Sequence, residues 1–263
     1  MKLNKLNLSD FPNWKSYYFS YQKKLAKSYY IPLLKKTGVR IGINTKILDV
    51  GCGNGGFISA FSDLSDFCNG LEIKKFDWYE NKNLKIFVGD ITSKEVRYKL
   101  FDNYDLIILR DVIEHIHSSE KVDFLKSIAL YMSENSKLLV TFPPFYSSFG
   151  LHQQTILKSP LRLIPFLGWL PKIVLKYLLK SFNQEDKWTD IREIKESGMT
   201  ISGFENLIDQ CGLEICFKEN YLIRPSHQIR YGLKMKKLNW FKVPLLKEII
   251  ISGCTYVIKK RHE

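Results

Sequence analysis

The stretch Ile47-Leu48-Asp49-Val50-Gly51-Cys52-Gly53-Asn54-Gly55-Gly56-Phe57 decides how the rest of the chain is read. A short apolar strand, Lys46–Val50, runs into glycines, and the following segment 57–64 suits a helix. Glycines at such a junction permit a tight turn and let a ligand approach the backbone. Gly51, Gly53 and Gly56 also satisfy the GxGxxG spacing, which keeps a dinucleotide dehydrogenase open.

Three acids narrow the choice. Asp49 closes the first strand, Glu72 follows Gly53 by 19 residues at the end of a second strand (70–73), and Asp90 ends a third (85–88). In a doubly wound sheet these carboxyl ends share the edge where ligands bind. Glu72 can accept both hydroxyls of a ribose, Asp90 can accept from an exocyclic amine, and Asp49 favours a cation nearby. A dinucleotide would bring a pyrophosphate here, which is served best by a helix N-terminus without carboxylates. A ligand with ribose, adenine, ammonium and sulfonium suits the acids instead.

Outward from this region, strands at 106–109 and 137–142 flank a helix at 121–132, and Pro143-Pro144 stops the fifth strand. The alternation predicts a parallel sheet with helices on both faces. Upstream, residues 14–36 read as a helix broken near Pro32, with Trp14, Tyr17, Tyr18, Tyr21 and Leu25 at helical spacing. Downstream, residues 156–182 are apolar and basic, are divided by Pro160, Pro165 and Pro171, and read as a helical lid. Lys172, Lys176 and Lys180 share one face there, either a solvated face over a packed underside or a membrane-surface helix. A helix at 202–211 stops at Gly212, and 213–223 and 248–259 read as a final antiparallel pair at the sheet edge.

These motifs resemble class I S-adenosylmethionine-dependent methyltransferases. The resemblance rests on ILDVGCGNGG, GLEI at 70–73, VGDIT at 88–92, YDLIILRDVIEHI at 104–116 and KLLVTFPPF at 137–145, in that family's order and spacing. It implies an α/β, doubly wound, Rossmann-like sheet of seven strands with an antiparallel last strand, plus an N-terminal helix and a helical lid. The expected division is 1–40 as cap, 41–150 as cofactor core, 151–200 as lid and 201–263 as completion of the sheet, all in one compact domain. It implies S-adenosyl-L-methionine as cofactor. Gly51 and Gly53 would lie against its methionine part, Glu72 at the ribose, and Asp90 with the backbone at Ile91 at the adenine, while Asp49, Cys52, Asn54, Gly55 and Ile73 count among the cofactor-binding residues. Arg110 and Asp111 would stand beside the sulfur. Cys52 reads as a packing residue. The proline-proline-aromatic run at 143–145 echoes enzymes that methylate amino groups of nucleic acids, but those carry it after the fourth strand. Here it reads as strand termination beside the cleft.

Composition bounds the rest. The 263 residues carry 40 Lys plus Arg and 27 Asp plus Glu, a formal +13, with 45% hydrophobic and 25% charged residues, which excludes disorder throughout. Residues 1–50 are +8, 51–150 are −3 and 151–263 are +8, so the excess lies outside the cofactor region. Five cysteines without a CxxC pair argue for a reducing compartment and against zinc, and no metal is expected. The opening residues lack an apolar signal core, so a cytoplasmic location is expected, with peripheral membrane contact open.

For a hydroxyl acceptor, His152 and His115 are the candidate bases. Tyr21, Arg224, His227 and Arg230 are candidates for an anionic or lipid-linked small acceptor. O-methylation is the expectation. Nucleic acid is a rival not favoured, since no RNA-binding module is recognisable; a catalytically silent cofactor-binding partner is another.

Overall fold

In the computed structural model, residues 3–78, 81–241 and 243–261 are described. The apolar runs form one sheet of β1 (Lys46–Val50), β2 (Phe67–Glu72), β3 (Leu84–Val88), β4 (Tyr104–Arg110), β5 (Met132–Phe142), β6 (Leu213–Ile223), β7 (Lys236–Lys237) and β8 (Gly253–Lys260). The spatial order is β3-β2-β1-β4-β5-β8-β6-β7. β1 to β5 pair in parallel, and β8 runs antiparallel to both β5 and β6. β6 therefore points the same way as β1, and its carboxyl end opens on the edge that carries the glycine turn. The seven expected strands are present, and the two-residue β7 adds an eighth.

Strand alternation sorts the core onto two faces. Leu48, Ile107, Leu109, Leu138 and Val140 pack with α4 (Lys121–Ala129) and α8 (Ile201–Gln210). Ile47, Leu106, Ile108 and Leu139 pack with α1 (Trp14–Leu25) and α2 (Ile31–Lys36). The remaining helices are α3 (Lys94–Arg97), α5 (Gln153–Ile156), α6 (Lys172–Ser181), α7 (Trp188–Ser197), α9 (Pro225–Tyr231) and α10 (Pro244–Ile250). Among them α5, α6 and α7 frame a satellite cluster that includes Leu151, Leu161, Leu175, Leu179, Ile191 and Ile194, within the segment read as a lid. Among the described residues no helix is long and apolar enough to cross a membrane.

Three local expectations change. The N-terminal helix is not broken at Pro32. A wide turn at Ala26–Tyr30 precedes α2, and Pro32 sits in its first turn, where a missing N–H is tolerated. Residues 57–64 make tight turns around one 3-10 turn, Ile58–Ala60, rather than a regular helix. Residues 248–250 belong to α10, which also starts on a proline, so the last strand begins only at Gly253. The closing antiparallel pair lies at the sheet edge as expected, with β8 inward against β5 and only the two-residue β7 outside β6.

Candidate active site

At the end of β1 the backbone turns so that Gly51 N and Cys52 N both donate to Leu71 O, at 2.8 and 3.2 Å. Gly53 has φ +56, and nothing lies within 4 Å of where a Cβ would stand. Its open side borders a cleft of about 980 Å³ between the turn and α1. Gly56 is needed for a different reason. A Cβ there would lie 2.6 Å from the carbonyl oxygen of Phe19, so this glycine admits the α1 backbone that roofs the cleft.

The acids hold this turn. Glu72 accepts from Gly53 N at 2.8 Å through Oε2 and from Ile73 N at 2.9 Å through Oε1. Trp78 Nε1 donates to Gly53 O at 2.8 Å. Asp90 is exposed and accepts from both the amide and the hydroxyl of Thr92 at 2.8 Å. The side chain of Ile91 is buried in the core, which leaves its backbone for any ligand, whereas Ile73 is exposed. Asn54 Oδ1 accepts from Gly56 N at 3.2 Å, and Gly55 N donates to Cys52 O at 3.0 Å. Asp49 is buried, and burial pushes its carboxyl up to about 7 against the pull of Arg110. Burial, with Asp49 and Glu72 nearby, raises the Cys52 thiol, and its sulfur is the nearest atom to the Cα face of Gly70. A thiol so placed is packing material. An open glycine, hydroxyl-accepting carboxylates and a buried acid fit a cationic nucleoside.

A second cavity of about 410 Å³ shares Tyr18 with this cleft. Tyr21, His115, His152, Arg224, His227 and Arg230 line it, so the expected base and acceptor residues meet there. Arg224 is not a free cation. Its Nη2 lies 2.5 Å from Asp111 Oδ1, and Thr141 Oγ1 donates to the same oxygen at 3.2 Å. Burial raises the Asp111 carboxyl, but Arg224 and Arg110 outweigh it and hold the group below the usual range. Arg110 is bonded to Gln22 of α1 and stacks 4.5 Å from the Phe57 ring centroid. Arg230 stacks over Tyr21 and Tyr231, at 5.6 and 5.1 Å. Burial pushes the Tyr21 phenol up to about 12; burial and then the two arginines push His227 down to about 4.

The floor of this cavity is built from two distant segments. After β4, a turn at Ile113–His115 buries Glu114 and opens His115 to the pocket. After β5, linked turns from Pro144 through Ser147, Gly150 and Phe149 deliver His152 in a left-handed conformation, φ +56. The two imidazoles meet edge to face, with centroids 4.8 Å apart. Glu114 Oε1 lies 3.8 Å from His152 Nε2. Both Glu114 oxygens and His152 Nε2 are buried without a hydrogen-bond partner among the described residues. Burial and then Asp111 push the Glu114 carboxyl well up; burial and then His115 push His152 down to about 3; burial also lowers His115. The ammonium of Lys121 is buried nearby and donates to Ile113 O at 3.0 Å, to Ile116 O and to Ser197 O at 2.6 Å. Sequence reasoning did not single out Gln22, Trp78 or Lys121. Only Trp78 had a local signal, as a polar-tipped aromatic shortly after Glu72.

A family model described as a methyltransferase domain matches residues 18–214. No curated protein matches the chain. Among solved structures, an S-adenosylmethionine-dependent methyltransferase from Clostridium acetobutylicum ATCC 824 is 12% identical, with 91% of this chain and 92% of that chain covered and a TM-score of 0.53. A SAM-dependent methyltransferase from Archaeoglobus fulgidus is 13% identical, with 93% and 100% covered and a TM-score of 0.51. The plantazolicin methyltransferase BamL, in complex with a triazolic desmethylPZN analog and SAH, is 9% identical, with 94% and 90% covered and a TM-score of 0.53. At these identities the likeness is one of fold. The matched domain spans the glycine turn, Asp49, Glu72, Asp90 and part of the lining of each cavity, and the chain belongs to the class I S-adenosylmethionine-dependent methyltransferase family.

Proposed function

We propose that this methyltransferase methylates a hydroxyl oxygen of a small or medium-sized anionic acceptor. The observation that carries the reading is the 410 Å³ cavity, where two imidazoles and the Arg230 cation converge beside the cofactor cleft. Bound S-adenosylmethionine supplies an electrophilic methyl on a sulfonium. Glu72 would accept its ribose hydroxyls, Asp90 and the backbone at Ile91 its adenine, and Asp49 would favour its cationic end. The turn from Gly51 to Gly55 would lie along its methionine part, with Arg110 and Asp111 beside the sulfur. Displacement at the methyl requires the acceptor oxygen in line, and holding it there is the main service of a closed pocket. His115 and His152, neutral at physiological pH, can accept the hydroxyl's hydrogen bond. Arg230 would pair with the acceptor's anion, while Arg224 positions Asp111.

The test is methyl transfer from labelled donor to hydroxylated carboxylates and to matched amines. Transfer to the hydroxyl compounds supports the reading, and equal transfer to amines lacking a hydroxyl overturns it. Arg230→Glu should raise the acceptor KM on the order of 10-fold with little change in kcat, since a charge-assisted bond is worth about 1.5–3 kcal/mol.

The lid supports a lipid-linked acceptor within this class. Leu175 and Leu179 of α6 are packed, but Ile173 and Tyr177 are 83% and 70% exposed beside Lys176 and Lys180. Lys172 is paired with Glu196 at 2.5 Å. An apolar stripe flanked by lysines suits an anionic lipid surface. Co-sedimentation with phosphatidylserine vesicles should exceed that with phosphatidylcholine vesicles, and Ile173→Glu with Tyr177→Glu should abolish it; equal recovery of the double variant removes the lid from that role.

A further inference from the structure

We propose that Glu114, His115 and His152 bind one divalent cation of the first transition row on the floor of the acceptor pocket. The inference rests on reading this pocket as the place where a hydroxyl is methylated. Each of the three residues offers a ligand atom, and these atoms lie within 4.8 Å of one another. Glu114 is only 2% exposed. Its two oxygens and His152 Nε2 find no hydrogen-bond partner among the described residues. A buried carboxylate and a buried imidazole nitrogen left without partners are costly, and each missing bond costs about 1–3 kcal/mol. The separation of 3.8 Å between Glu114 Oε1 and His152 Nε2 is too long for a hydrogen bond but leaves room for an ion between them.

Ligand atoms about 2.0–2.2 Å from one ion stand roughly 3 Å apart, so closing the site needs movements of about 1 Å. The turns that carry His152 hold it in a left-handed conformation that non-glycine residues seldom adopt. That conformation brings His152 over the Glu114 turn. The neighbouring cations are already engaged, Lys121 by three carbonyl oxygens and Arg224 by Asp111. Two imidazoles and one carboxylate suit Zn2+, Mn2+, Fe2+ or Co2+ rather than Ca2+ or Mg2+, which prefer all-oxygen sets. Three protein ligands leave positions open toward the pocket.

The cation answers a chemical need of the site. With the cation bound, His115 and His152 act on the hydroxyl through the metal rather than by accepting its hydrogen bond. A Lewis acid beside the acceptor lowers the hydroxyl pKa, so its proton can leave to water. The oxygen then forms the new C–O bond as the methyl C–S bond breaks, and that bond's electron pair stays on sulfur.

The test uses the full chain, freed of metal with a chelator and then titrated with Co2+ alone, followed by visible absorption and calorimetry. One Co2+ per chain is expected, with absorption bands of a nitrogen-containing site. Glu114→Gln is nearly isosteric, and His152→Asn keeps a residue that tolerates the left-handed backbone. Each should weaken Co2+ on the order of 10-fold or more, with melting curves kept, while His117→Asn on the surface should not. Wild-type affinity no greater than that of these two variants overturns the site. Because neither donor nor acceptor is present, the outcome is independent of the hydroxyl reading. Tight Co2+ binding with no hydroxyl methylation would overturn that reading and leave the cation site standing.

Discussion

Asp49 ends β1 with 2% of its surface exposed, and its carboxyl is pushed up to about 7, chiefly by burial. An unfolded aspartate titrates near 4, so the folded state holds the proton more tightly. Its contribution to stability is therefore complete below about pH 4 and is lost as pH rises through 7. Asp49→Asn should leave the cofactor-free protein unchanged below pH 4 and stabilise it by a few kcal/mol, order of magnitude, at pH 8. Chemical unfolding across that range measures the difference, and a gain independent of pH would contradict it. Lys121 poses the opposite problem, a buried cation whose donors satisfy three backbone carbonyls. Lys121→Met should cost about 2–4 kcal/mol, because those carbonyls lose their partner inside the protein; a melting shift indistinguishable from zero would contradict the assignment. Residues near one another in sequence were legible, such as Asp49 with the glycine turn. Arg224 and Asp111 are 113 positions apart, and Lys121 and Ser197 are 76 apart. No local pattern announces such pairs, because the turns that bring them together are fixed by tertiary packing.

At the level of elements, strand alternation and the strand-ending prolines were readable because burial on both faces leaves continuous apolar runs. Element ends were less so. The helix over 14–36 continues past its expected break because proline is harmless in a first turn, and 248–250 form a helix although Ile249 and Ile250 favour strands. The close seat of α1 on Gly56 was also invisible. The third glycine reads as part of a nucleotide turn, yet its Cβ position is filled by the Phe19 carbonyl. Gly56→Ala should destabilise the protein by about 1–3 kcal/mol, since overpacking forces α1 outward. It should also weaken S-adenosylhomocysteine binding in calorimetry, because α1 roofs the cleft. Unchanged affinity would separate the roof from the cofactor site.

For the molecule as a whole, the uneven charge now has an address. The flanks that carry the excess supply α1, the segment read as a lid and α9, with Arg230 at the cavity proposed for the acceptor, while Asp49 and Glu72 stand at the ends of β1 and β2 beside the glycine turn. Raising ionic strength should therefore increase the KM of an anionic acceptor severalfold and leave S-adenosylhomocysteine affinity comparatively steady, since screening acts on exposed charges most strongly. Equal salt dependence of both constants would contradict this division. The position of β8 has a consequence in time rather than in space. It follows β6 in the chain yet lies between β5 and β6, so those two strands stay unbridged until synthesis has passed residue 260. A nascent chain can assemble β1 to β5 early, with the glycine turn in place, while the edge of β5 waits open. The Arg224–Asp111 bond, which ties the β6 end to the β4 end, is then among the last contacts to form. The half of the protein that carries Arg224 and Arg230 thus matures after the half that carries the glycine turn, and the interval between them is when a chaperone has most to protect.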